Sequence, residues 1–258
     1  MKNDTAHHTP KASADASKLT IFIMGATSGM GKELAIRYAA EGHKLALCGR
    51  HTEQLQDIQS LYPNNVYLKK IDITQPNADT LIEGFISEMG GIDIYIHSSG
   101  VGWQNRDLDL DKELATAAVN VDGFIRSVGT AFRYFQQKGY GHLVAITSIA
   151  AYRGLGVAPA YASTKAFQAR YVQSLKQLSA IRNTPINITE IKPGFVDTPL
   201  LKQDKYPLMM DKTFVAGEIT KAIRKKRRHK IIDRRYVFLV RAWQLLPRCI
   251  WERWRLTN

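Results

Sequence analysis

The stretch IFIMGATSGMGKELA, residues 21 to 35, joins an apolar run to a helix-period segment through three glycines, Gly25, Gly29 and Gly31. A strand ending at Gly25 and a helix opening at Gly31 put this turn at the C-terminal edge of a sheet. There a helix N-terminus presents unpaired N–H groups and partial positive charge, and glycine lets an anion come close to the backbone. The position suits the pyrophosphate of a dinucleotide. Taken alone, the same turn also serves simply to carry a chain from strand into helix.

The alternation continues outward from this unit. Strand candidates are LTIFIMG, KLALCGR, NVYLKKIDI, IDIYIHSSG, HLVAITS, INITEIKPG and HKIID, with helical patterns over residues 30–41, 52–61, 76–89, 111–137, 161–181 and 215–228. Strands apolar at consecutive positions need both faces covered, and strands separated by helices pair in parallel. The pattern predicts an α/β protein, a Rossmann-like doubly wound parallel sheet of about seven strands with helices on both faces.

A chain of 258 residues accommodates one such unit. Residues 1–17, which include His7 and His8, have no apolar h-region; they read as a disordered tail, not a secretory signal, and the two histidines as solvated, so no metal site is expected. Residues 18–232 form the expected domain. Within it the proline-bearing segment 198–214 follows a strand end and is a candidate substrate lid. Cys48 and Cys249 lie far apart, which argues against a disulfide framework and for a cytoplasmic, reducing compartment.

The net charge of +13 is unevenly spread. Residues 221–258 hold thirteen Lys/Arg against Asp233 and Glu252, so 13 − 2 = +11 sits there; the preceding residues carry 36 − 13 = 23 basic and 23 − 2 = 21 acidic side chains, or +2. The basicity belongs to the C-terminus.

The second strand ends in Gly49 and Arg50, where an enzyme using NAD usually ends in an acid for the ribose 2′-hydroxyl. An arginine fork suits a 2′-phosphate, which favours NADP(H) over NAD(H). Farther on, YASTK sets Tyr161 and Lys165 four residues apart on one helix face. Chance alone supplies roughly 0.8 such pairs in this composition, and Tyr134 with Lys138 is another, read as ordinary helix surface. Tyr161 differs in having Ser148, thirteen residues earlier, at the end of HLVAITS. Its hydroxyl should emerge at the same sheet edge as the glycine turn. A phenol whose pKa is brought down by a neighbouring ammonium is a suitable proton donor for a carbonyl receiving hydride, and a serine hydroxyl can hold the carbonyl oxygen.

With the glycine turn, Asp72 in IDIT, Asn120 in AVNVDG, Ser148, Tyr161 with Lys165, and PGFVDT through Thr198 all in order, residues 18–232 resemble the short-chain dehydrogenase/reductase family, in its single-domain branch. The resemblance implies a catalytic tetrad of Asn120, Ser148, Tyr161 and Lys165, in which Asn120 holds a backbone kink and a water leading from Lys165 to solvent. It implies cofactor contacts from Gly25, Thr27, Ser28, Gly29, Met30 and Gly31 in the turn, Arg50, Asp72 and Ile73 around the adenosine, and Gly100, Tyr161, Lys165, Val196 and Thr198 around the nicotinamide ribose and amide. A homodimer or homotetramer packed through the helices at 111–137 and 161–181 is also implied. Two departures are Met24, where the family usually has threonine, and HSSG, residues 97–100, where it has Asn-Asn-Ala-Gly. They point to a repacked support for the cofactor turn, with His97 structural.

Residues 233–258 fall outside the resemblance. Arg241 and Arg248 interrupt the apolar run, so a membrane span is not expected. Trp243, Trp251 and Trp254 stand among arginines. This extension can pack on the domain or a subunit, or lie at an anionic bilayer as a peripheral contact; nucleic acid is the weakest reading, since no nucleic-acid module accompanies RKKRRHK. The expected function is an NADP(H)-dependent oxidoreductase acting on a carbonyl or secondary alcohol, with a bulky apolar substrate if the extension is a membrane-facing cover; simple packing leaves the substrate open. The alternative is a non-catalytic NADP(H)-binding sensor or membrane-associated scaffold.

Overall fold

In the computed structural model, which describes residues 18–201, 206 and 208–254, seven parallel strands form one sheet. The tail 1–17 with His7 and His8, the lid residues 202–205 and 207, and residues 255–258 lie outside the described residues. The strands are β1 (Thr20–Met24), β2 (Lys44–Gly49), β3 (Val66–Lys70), β4 (Ile94–His97), β5 (Gly141–Ile146), β6 (Ile186–Pro193) and β7 (His229–Ile232), in the order β3-β2-β1-β4-β5-β6-β7. The chain first winds outward to β3, then returns to place β4 on the other side of β1. That reversal opens a crevice at the C-terminal ends of β1 and β4, where ligands of open α/β sheets bind.

Alternation along each strand feeds two cores. Ile21, Ile23, Leu45, Leu47 and Ile96 face α1 (Gly29–Ala40), α2 (Gln56–Leu61) and α7 (Lys212–Arg224). Phe22, Met24, Ala46, Cys48 and Tyr95 face α3 (Ala78–Glu88), α5 (Phe124–Lys138) and α6 (Pro159–Ile181). Neighbouring residues of β1 therefore serve opposite cores, as a sheet covered on both faces requires.

Three sequence expectations need correction. The single helix expected over 111–137 is α4 (Leu110–Ala117), a π-helical turn (Ala118–Gly123) and α5, so an extra residue per turn is inserted around Asn120. The helix expected at 215–228 begins earlier, at Lys212, because the Asp211 carboxylate accepts hydrogen bonds from the amides of Thr213 (2.8 Å) and Phe214 (2.9 Å); the last residues of the 198–214 segment thus belong to α7. Tyr134 and Lys138 are not mere helix surface. The Tyr134 hydroxyl accepts from the Ile92 amide at 3.1 Å, and Lys138 Nζ donates to the Ile92 carbonyl and Asp93 carboxylate at 2.8 and 3.0 Å, tying α5 to the entry of β4.

After β7 the chain turns directly into α8 (Arg234–Leu245) and α9 (Arg248–Arg253). Tyr236 and Val240 are buried in the core shared with α1 and α7, so the extension packs on the domain. No helix among the described residues is long and apolar enough to cross a membrane.

Candidate active site

The glycine turn has the geometry of a phosphate cradle. Gly25 and Gly29 have φ of +84° and +52°, and a Cβ on Gly25 would lie 2.5 Å from the Ser99 amide nitrogen, so the turn sits hard against the segment after β4. Met24 and His97 are register partners, and the Ser98 amide donates to the Met24 carbonyl at 2.8 Å. The two departures from the family pattern therefore meet in space. His97 is fully buried, its Nδ1 2.9 Å from Ser127 Oγ and its ring edge-on to Phe124; burial, aided by the Lys165 charge, pushes its pKa down to about 3. It is a neutral structural group at ordinary pH.

A groove of about 350 Å³ runs over this turn. Gly25, Thr27, Ser28, Gly29 and Met30 line its middle, Arg50, Asp72 and Ile73 one end, and Gly100 and Thr198 the other. Gly31 lies behind the turn instead: a Cβ there would run into the Gly25 carbonyl, so this glycine lets α1 approach the turn. Gly49 has a comparable part, since a Cβ would meet Thr27 Cγ2 at 2.6 Å. Asp72 Oδ1 accepts from the amide (3.0 Å) and hydroxyl (2.8 Å) of Thr74, which ends the extended run and fixes the carboxylate at the groove. Arg50 is exposed at the groove wall.

Ser148, Tyr161, Lys165 and Asn120 come together beside this groove. Ser148 caps the short turn Ile149–Tyr152, its Oγ accepting from the Ala150 amide at 3.1 Å, and it is hydrogen-bonded to the Tyr161 hydroxyl. Burial raises the Tyr161 pKa and the Ser148 hydrogen bond brings it partly back. Lys165 Nζ stands over the Tyr161 ring, 5.8 Å from its centroid, and donates to another partner. That partner is Gln168, whose Oε1 accepts from Lys165 at 3.0 Å while its Nε2 donates to the Asn120 carbonyl at 2.9 Å. Burial alone brings Lys165 down to about 8.

Gln168 therefore bridges Lys165 and the Asn120 carbonyl. Sequence reasoning missed it: the i+3 spacing puts Gln168 beside Lys165 on the helix but does not single it out. The Asn120 side chain closes the π-helical turn onto the loop after β4, accepting from the Val101 amide (3.0 Å) and donating to the Val101 carbonyl (2.7 Å) and Thr164 hydroxyl (3.1 Å). A second unforeseen residue is Gly102, where any Cβ would overlap the Tyr161 ring.

A larger cavity of about 1050 Å³ opens on the other side of Tyr161 and Lys165. Trp103, Ile149, Leu155, Val196 and Phe195 form its floor and walls, and Tyr236, Leu239, Ala242, Trp243, Leu246, Trp251 and Trp254 of the extension form its roof. Val196 thus serves this cavity and not the groove. The roof is fastened: Trp251 Nε1 donates to the Gly154 carbonyl at 2.9 Å, and the Arg153 guanidinium donates to the carbonyls of Gln244 (2.9 Å) and Leu246. Tyr236 OH accepts from the Phe195 amide and donates to the Leu208 carbonyl, both at 3.1 Å. With the Val196–Met210 bridge, these bonds hold the base of the 198–214 segment.

Comparison with known proteins agrees with this architecture. The family model for short chain dehydrogenase matches residues 19–207. An uncharacterized oxidoreductase of Mycobacterium tuberculosis is 32% identical over 207 residues, covering 74% of this chain and 78% of that protein; one of Myxococcus xanthus is 29% identical, covering 76% and 79%. Among solved structures, a short-chain dehydrogenase from Streptomyces avermitilis superposes with a TM-score of 0.77 at 20% identity, covering 88% of this chain and 93% of that one. A short-chain dehydrogenase from Sphingobium yanoikuyae, solved in complex with NADPH, gives 0.76 at 21% identity, covering 93% and 98%. At that identity the structural likeness speaks for the fold, and the sequence matches speak for the family. The chain belongs to the short-chain dehydrogenase/reductase family and is a hydride-transferring oxidoreductase.

Proposed function

We propose that the hydride passes between NADP(H) and a carbonyl or secondary-alcohol carbon, with Tyr161 as general acid and base. The observation that carries this reading is a junction: the polar groove and the apolar cavity share Met30, Ser98, Gly100, Thr198 and Leu200, and Tyr161 and Lys165 stand on the cavity side of it. The glycine cradle, free of side chains where a pyrophosphate needs backbone amides, fits a dinucleotide. Residues 27–30 would hold its phosphates, Asp72 and Ile73 its adenine, Gly100 and Thr198 its nicotinamide end. Arg50, with no acid at the end of β2, favours the 2′-phosphate of NADP(H). When bound, the cofactor supplies or accepts the hydride.

The chain's own residues handle the rest. Tyr161 gives its proton to the carbonyl oxygen as negative charge grows there, and Ser148 holds that oxygen by hydrogen bond. Lys165 keeps a cation near the phenol, fixed by Gln168 and the Asn120 carbonyl. In the reverse direction the tyrosinate accepts the proton of the alcohol. The cavity, at the upper end of the size range of small-molecule sites, suits a bulky apolar substrate. Leu110 and Leu114, exposed on α4, support a homo-oligomer packed through α4, α5 and α6.

Tyr161→Phe tests the assignment. NADPH binding should stay near normal while NADPH oxidation across a panel of ketones, aldehydes and acyl thioesters falls by ~10²–10⁴-fold, the range of general acid catalysis. Turnover that survives the substitution would remove Tyr161 as the proton donor.

A further inference from the structure

The extension has two faces of different character. Its inner face is the cavity roof. Its outer face presents Phe238 and Leu245, 71% and 84% exposed and seven residues apart on one helical stripe. Arg234 and Arg241, four residues before and three after Phe238, flank that stripe, and α9 adds the exposed Ile250, Arg248 and Arg253. Residues 234–253 carry five arginines and one acid, Glu252, or 5 − 1 = +4.

Docking of a protein on these apolar side chains would also cover the arginines between them, whose guanidinium groups then need acids brought by the partner. A bilayer interface meets both demands at once, with acyl chains for the rings and aliphatic groups and anionic phosphates for the arginines. The roof also leaks towards this face. Leu239, Ala242 and Trp254 line the cavity and are exposed, so the roof is open to solvent along α8, where Leu239 adjoins Phe238 in the chain.

We propose that the outer face of α8 and α9 docks on an anionic phospholipid bilayer, and that the cavity draws its apolar carbonyl or alcohol substrate through that opening from the bilayer. The second part rests on the reductase reading; the docking does not.

The test uses the full chain and phosphatidylcholine vesicles with and without phosphatidylglycerol. The protein should sediment with the anionic vesicles, and Phe238→Asp with Leu245→Asp should weaken that binding roughly tenfold or more, as should Arg241→Glu with Arg248→Glu. Retained oxidation of NADPH with a water-soluble ketone shows that the variants are folded, and a blue shift of tryptophan emission on vesicles gives an independent readout in the unmodified protein. With a long-chain methyl ketone dissolved in the vesicles, the same variants should lose turnover while keeping it on the soluble ketone. Failure to sediment with anionic vesicles, binding indifferent to these substitutions, or a homodimer that they dissociate would each overturn the docking. Vesicle binding without turnover on either ketone would strike at the reductase reading and leave the docking standing.

Discussion

Tyr236→Phe removes one oxygen atom and keeps the ring that packs against Gly194. That oxygen joins three pieces of the chain: it belongs to α8, accepts from the Phe195 amide just after β6 and donates to the Leu208 carbonyl of the 198–214 loop, each at 3.1 Å. Tyr236 is 1% exposed and both bonds are partly buried, so removing the hydroxyl breaks the two together. Two hydrogen bonds at about 1 kcal/mol net each give a loss of roughly 2 kcal/mol. For a chain of this size that lowers the melting temperature by about 4–8 °C.

Function should respond separately. Phe195 and Leu208 both line the large cavity, so loosening their link loosens that part of the cavity wall. If about 1 kcal/mol of the loss falls on the closed loop, KM rises roughly fivefold with kcat little changed. Differential scanning calorimetry and steady-state kinetics on the best panel substrate read the two effects. An unchanged melting temperature and KM would mean that the phenol does not hold the loop. A fall in kcat at constant KM would place Tyr236 in the chemistry and refute the argument.

Arg50→Asp should move cofactor preference from NADP towards NAD, read as the ratio of kcat/KM for the two; an unchanged ratio would mean that another group reads the 2′-phosphate. Stability should fall in acid for a stated reason. Burial pushes His97 down to about 3 and His142 to about 4, from 6.5, so between 6.5 and those values the unfolded chain binds protons that the folded chain excludes. Stability then drops as pH falls, by about 1.4 kcal/mol per pH unit for each histidine. Glu190 adds a further loss: burial opposes its charge, but His229 and Lys192 outweigh burial and bring it to about 2, so its contribution is intact above 4.5 and disappears as pH falls towards 2. Urea unfolding at stepped pH should show the decline beginning below pH 6.5 and a shallower slope in His142→Asn; a flat profile down to pH 5 would contradict the burial of both histidines.

The parts legible in the sequence are those whose chemistry is local. Gly25 announces a positive φ, consecutive apolar residues announce a strand covered on both faces, and Ser148, Tyr161 and Lys165 announce themselves by spacing on elements that share one sheet edge. Gln168 stayed hidden because a glutamine on a helix has no distinguishing pattern until its partners, Lys165 on the same helix and the Asn120 carbonyl on another, are placed around it. Tyr134 and Lys138 misled for the same reason: their partners, Ile92 and Asp93, lie more than forty positions away in the chain.

The extension resisted reading for a different cause. Packing against a core and lying at an interface both call for aromatic and aliphatic side chains, so composition cannot separate them. Helical phase can. Tyr236, Val240 and Trp243 fall on the side facing the domain, Phe238 and Leu245 on the side facing away, and the arginines keep to the second set. The two readings that compete along the sequence therefore concern opposite faces of one helix, and a residue's phase decides which one a substitution tests. Changes at Tyr236 should act on the fold and the loop, changes at Phe238 on what lies outside.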